Sequence, residues 1–140
     1  RANKTFPTSD HAKDILGVVV EVGMDTGLDL LAAYHDHSAR YYNYSGAGVI
    51  WEHPDTSLDR NIDDLLAAAA AVVSHIGPWD QPRPAPPPRG HVRLNFLTPS
   101  GLHFGQAPMR MLQQDPLAAP TLAAATQLMI ALTKKAPHPT

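Results

Sequence analysis

Eight histidines among 140 residues are the side chains of this chain best equipped for chemistry. His35 and His37 stand two apart, which puts both imidazoles on one side of an extended strand end, where they could share a metal ion. His91 and His103 fall on two runs that read as paired strands, so they could approach one another. Glu52-His53-Pro54-Asp55 sets an acid, a base and a second acid at the end of an apolar run, and catalytic groups concentrate in such loops. His35, Glu52, His53, His91 and His103 are therefore the candidate ligand-binding residues. Their context argues for little more. The chain has no cysteine, which removes thiolate metal sites, disulfides and thiol catalysis. It has no H-E-x-x-H and no G-x-S-x-G. Histidines at turns and strand ends are by default solvated, so no metal and no cofactor is expected, no catalytic residue is assigned, and the chain leans away from an enzyme.

Two further motifs fail on context. Ser45-Gly46-Ala47-Gly48-Val49-Ile50 contains a G-x-G, but a phosphate cradle needs a third glycine and a following helix, and here Trp51 and a strand follow. Pro84-Ala85-Pro86-Pro87-Pro88-Arg89 fits the P-x-x-P-x-R of SH3 ligands, a pattern that proline-rich composition generates by itself. It reads as a spacer.

The elements that must position these residues follow from periodicity. Residues 16–22 admit a helix from Asp10, with Ile15, Val19 and Val22 on one face, or a strand with Val18, Val20 and Val22 on one face. Gly17 and the four valines disfavour the helix, since β-branched side chains lose rotamer freedom there. The strand is expected, with a turn at 23–27. Residues 28–35 and 39–44 read as a hairpin around Asp36-His37-Ser38, and 49–52 as a short strand ended by Pro54. Residues 57–76 form the clearest helix, capped by Thr56 or Ser57, with Ile62, Leu65, Leu66, Ala69, Val73 and Ile76 inward and Gly77-Pro78 as its stop. Residues 78–90, with prolines at 78, 82, 84, 86, 87 and 88, predict an exposed, extended loop inside one domain. Residues 91–98 alternate most cleanly, with Val92, Leu94 and Phe96 opposite Arg93, Asn95 and Leu97, and 102–106 return as a second hairpin. Residues 108–114 suggest a short helical turn. Asp115-Pro116 opens a last helix to about Lys134, with Leu122, Ala125, Met129 and Leu132 inward and Pro120 tolerable only in its first turn.

The order β-β-β-β-α-β-β-α predicts a single α+β domain over 15–135: one antiparallel sheet of five to six strands with two main helices on one face. Residues 1–14 and 136–140 read as tails. By element order alone the arrangement is profilin-like or roadblock-like. If Val92, Leu94 and Phe96 meet the helices, then Arg93, Asn95 and Leu97 share the other face with Arg40, Tyr42 and Tyr44. That mixture of tyrosine, arginine and apolar side chains resembles an interface core.

Composition bounds the partners. A formal charge of −2, with eleven scattered Lys and Arg, offers no handle for nucleic acid or an acidic membrane. No run approaches the roughly 20 apolar residues of a membrane span, and residues 1–9 lack a signal-peptide core, so a cytoplasmic location is expected. The chain begins at Arg1, as a processed or trimmed form would.

Leu16-Gly-Val-Val-Val-Glu-Val-Gly-Met24, Asp36-His-Ser-Ala-Arg-Tyr-Tyr42 and Ser45-Gly-Ala-Gly-Val-Ile50 together resemble a group of small bacterial proteins. In that group a WGVxMETG strand is followed by a DGTxSLYxS hairpin and a GGGxIG turn. The resemblance covers about the first 60 residues and departs at His37, where the group has glycine, and at Ala47, within its glycine run. It implies strand placement and a bacterial origin, and no activity.

The expected function is a non-enzymatic protein-interaction module, self-associating as a homodimer or holding a partner protein through the uncovered sheet face or an edge. The alternatives are a small-molecule binder or enzyme with a polar pocket near strand ends, and an immunity or antitoxin-like protein.

Overall fold

A computed structural model describes residues 14–76 and 85–135. Among the described residues six strands and three helices follow one another: β1 (Gly17–Met24), β2 (Gly27–Tyr34), β3 (Ala39–Tyr42), β4 (Gly48–Trp51), α1 (Asp59–Val73), β5 (His91–Thr98), β6 (Gly101–Pro108), α2 (Met109–Gln114) and α3 (Ala119–Lys135). The strands form one antiparallel sheet in the order β4-β3-β2-β1-β5-β6. The strand for the valine run stands, and it is a central one. No described helix is long and apolar enough to cross a membrane.

Register shows why these residues take these places. Val18, Val20 and Val22 lie opposite Ala33, Leu31 and Asp29 on β2 and Phe96, Leu94 and Val92 on β5. Directly paired residues share a face, so the helix-side face is a mainly apolar band with Asp29 as its one charge among these residues. Against it pack Ile62, Leu65, Ala69, Val72 and Val73 of α1 and Leu122, Ala125, Leu128 and Leu132 of α3. Leu66, Ile76 and Met129 are only partly buried at the margin of this core.

Three local expectations change. Neither Thr56 nor Ser57 caps α1; its N-cap is Leu58, without a side-chain hydrogen bond. Asp55 instead accepts the Ser57 N–H at 2.8 Å, and Asp59 N–H bonds to the Thr56 carbonyl at 3.2 Å. The turn ahead of the helix is thus closed by Asp55, and Leu58 is freed to be buried in the core. Asp115 likewise closes a turn rather than starting α3: its carboxylate accepts Leu117 N–H at 2.7 Å and Ala118 N–H at 3.1 Å. The helix then begins at Ala119, which keeps Pro120 in the first turn, where its missing N–H costs nothing.

The third change concerns the proline-rich segment. Its described part does not stand clear of the domain. Gly90 N–H bonds to the Gly23 carbonyl at 3.0 Å, Met109 N–H to the Gly90 carbonyl at 2.8 Å, and Pro87 is buried. Gly23 permits this approach, because a Cβ there would overlap the carbonyls of Pro87 and Pro88. Residues 78–84, like both expected tails apart from Asp14, lie outside the described residues.

Candidate functional site

A concavity lies between the sheet and the C-terminal helices. Val20, Val22 and Met24 of β1, Leu31 of β2 and Tyr41 of β3 form its floor; Met109, Leu122, Ala125 and Met129 form its wall. Its volume is about 640 Å³, within the range of small-molecule sites. Alternation places the floor residues, and three short side chains at 119, 123 and 125 of α3 hold the wall back from the sheet. The polar side chains in its lining are Asp29, Tyr41, Gln113 and Thr126. Asp29 is held by two donors, Tyr44 N–H at 2.8 Å and the Tyr41 hydroxyl at 3.2 Å. Burial first, and the Asp29 carboxylate second, push the Tyr41 phenol above its ordinary pKa, so the hydroxyl stays a donor. Asp29 stands out in sequence only as a charge at an inward position of an alternating strand, which is the signal that could have singled it out.

The other sheet face divides in two. Arg40, Tyr42, Arg93, Asn95 and Leu97 do share it, as their registers show. Arg93 and Asn95, however, are only 1% and 2% exposed and do not form a free interface surface. Arg93 Nε donates to Glu21 at 2.8 Å, and Arg93 Nη1 reaches the Ala85 carbonyl at 2.9 Å. Asn95 Nδ2 donates to the same Glu21 oxygen at 2.9 Å and to the Val19 carbonyl at 3.0 Å. This end of the face is closed by the chain's own residues 85–90. Toward β4 the face stays open, with Arg40 over the Tyr34 ring at 5.9 Å, Tyr42 half-buried and Ile50 57% exposed. Tyr44 lies outside the strands, in the β3–β4 turn, and is 54% exposed.

The candidate histidines are not brought together as their spacing suggested. His91 pairs with Pro108 and shares the face of Arg93, whereas His103 pairs with Phe96 and is buried on the helix side. The two stand five positions apart along β5 and on opposite faces of the sheet. His35 is exposed in the β2–β3 turn and does not converge with His37 on one site. Glu52, His53, Asp36, Ser38 and Arg40 line a polar cavity of about 340 Å³ beside β3 and β4. His53 Nε2 lies 2.9 Å from Asp59. There it faces His37, whose Nε2 lies 2.8 Å from Asp63. The chain's own order gave no sign of that pairing. Hydrogen bonds from the Ser38 hydroxyl and N–H hold Asp36 below the ordinary aspartate pKa, and Ser57 does the same for Asp55. Comparison with protein-family models, curated proteins and solved structures returns no match for this chain.

Proposed function

We propose that this protein binds an amphipathic small molecule in the cavity between the sheet and α3. The observation that carries the proposal is a concavity of about 640 Å³ lined mainly by apolar side chains, with the hydrogen-bonded Asp29–Tyr41 pair in its lining. An apolar body would gain from leaving water at about 25 cal/mol per Å² buried. Met24, Met109 and Met129 give walls that adapt to shape. Asp29, fixed by Tyr41 and Tyr44, is an acceptor set in an apolar frame and selects a ligand ending in an amine or hydroxyl donor. This is ligand binding rather than catalysis.

The test is uptake of a neutral solvatochromic dye such as Nile red, displaced by long-chain amines and alcohols. Uptake is expected in the native chain and is expected to be lost in Val22→Trp, which fills the floor. Asp29→Asn should retain the dye and weaken the amines. A native chain that takes up no dye and is stabilised by no amphiphile would overturn the proposal, as would undiminished uptake by Val22→Trp.

A second reading, self-association as a homodimer, is favoured by the open part of the second face, where Ile50 is 57% exposed beside Tyr42 and Arg40. Sedimentation of native and Ile50→Lys protein tests it: a native chain that stays monomeric at high concentration ends that reading.

A further inference from the structure

We propose that His37, His53, Asp59 and Asp63 form a binding site for a divalent transition-metal ion of the zinc class. Three separate parts of the chain bring these side chains together. His37 comes from the β2–β3 turn, His53 from the segment after β4, and Asp59 and Asp63 from the first turns of α1. Ligating atoms of His37, His53 and Asp59 all lie within 4.8 Å of one another. Asp63 Oδ1 sits 2.8 Å from His37 Nε2, outside that set of mutually close atoms, and would supply a fourth donor by moving inward with His37.

The geometry is close to what a metal needs. Bonds of about 2.0–2.2 Å to imidazole nitrogen and carboxylate oxygen put neighbouring donors of a tetrahedron roughly 3.4 Å apart. The two histidine–aspartate contacts, at 2.8 and 2.9 Å, have only to open slightly, and the two pairs to close on each other. The imidazole rings are 5.4 Å apart, tilted by 30°, so no ring has to flip past another. Side-chain exposures between 27% and 62% leave the site open to solvent, and the polar cavity lined by His53 gives water room to complete the coordination.

Charge also favours a cation. The start of α1 contributes about half a positive charge, which opposes one. Two aspartates outweigh that fourfold, and neutral imidazoles add donors without adding charge. Nitrogen and oxygen donors without sulfur suit zinc, nickel or cobalt and not magnesium, which prefers oxygen alone. Among the described residues, His37 and His53 are also the two non-glycine positions with left-handed backbone, at φ 68° and 57°. Such positions are uncommon for side chains other than glycine, asparagine, aspartate and histidine. Both positions carry the two imidazoles that face each other.

The experiment is calorimetric titration of the chelator-treated full chain with zinc chloride, with magnesium chloride in parallel, and melting curves with and without zinc. One zinc per chain, a raised melting temperature and no magnesium heat are expected. His37→Asn and His53→Asn keep a residue tolerant of left-handed backbone and should weaken zinc by more than about 100-fold, the upper end of what loss of a ligand's supporting partner costs. Asp63→Asn, at an exposed position, should weaken it measurably without altering the metal-free melting curve. His35→Asn should leave binding intact. The proposal is overturned by absence of zinc binding, or by zinc binding that survives the His37→Asn, His53→Asn double variant. In the first case the two contacts would be plain hydrogen bonds tying α1 to the strand ends; in the second the ion would sit on other histidines.

Discussion

Replacing Arg93 by leucine tests the closed end of the second sheet face. Arg93 and Glu21 side chains are 2% and 7% exposed, and their contact at 2.8 Å is part of a network that also holds Asn95. Arg93→Leu takes the guanidinium away from the buried Glu21 carboxylate and removes the tie to the Ala85 carbonyl. Breaking a buried pair from one side costs about 3–5 kcal/mol. That is a large share of the roughly 5–15 kcal/mol that holds a domain folded. With a urea slope of about 2 kcal/mol per molar, the midpoint should fall by about 1.5–2.5 M. Glu21→Leu should cost a similar amount, while the Glu21→Leu, Arg93→Leu double variant should recover about 2 kcal/mol or more, because two well-packed apolar groups no longer need partners. Chemical denaturation of the four proteins gives the coupling directly. If Arg93→Leu costs less than about 1 kcal/mol, as an exposed pair would, or if the single effects simply add, the burial argument is refuted. The same burial makes Arg93 unsuitable as a probe of association, because its loss damages the fold first.

Other perturbations have equally definite expectations. Gly23→Ala should destabilise by about 1–3 kcal/mol and speed tryptic cleavage after Arg89, because its methyl group displaces residues 87–88 from the sheet. Leu128→Ala, at a fully buried position of α3, should cost about 2–5 kcal/mol in the same denaturation assay. The Tyr41 phenol has a raised pKa in the folded chain, so its contribution to stability is complete below the ordinary tyrosine pKa and is lost as pH rises through the folded value. Ultraviolet titration should lose its high-pH amplitude in Tyr41→Phe, and the Tyr41 transition should move down in Asp29→Asn. Asp36 runs the opposite way: its folded pKa is lowered, so its contribution is present above the ordinary aspartate pKa and fades as pH falls through the folded value. Asp36→Asn should remove that part of the acid dependence in pH-dependent melting curves.

Much of the fold is carried by local pattern. The alternation of 91–98, the valines of 18–22 and the three- and four-residue spacing from Ile62 to Val73 each encode which side of an element is apolar, and strand or helix follows from the period. Such a pattern says which face is buried and is silent on what buries it. Arg93 and Asn95 alternate as outward residues should, yet residues 85–90 fold back over them, a contact made possible by the absence of a side chain at Gly23. His37 and His53 are sixteen residues apart and belong to different loops; their meeting depends on β3 and β4 being four residues each and on where α1 starts. The cavity beside Asp29 exists because short side chains on α3 face the sheet at one end, a relation between elements about ninety residues apart. Periodicity along the chain thus determined the elements and their apolar faces, because it acts between near neighbours. Tertiary packing alone decided which charges are hidden, which histidines meet and where space is left, because those contacts join residues that the chain order keeps apart.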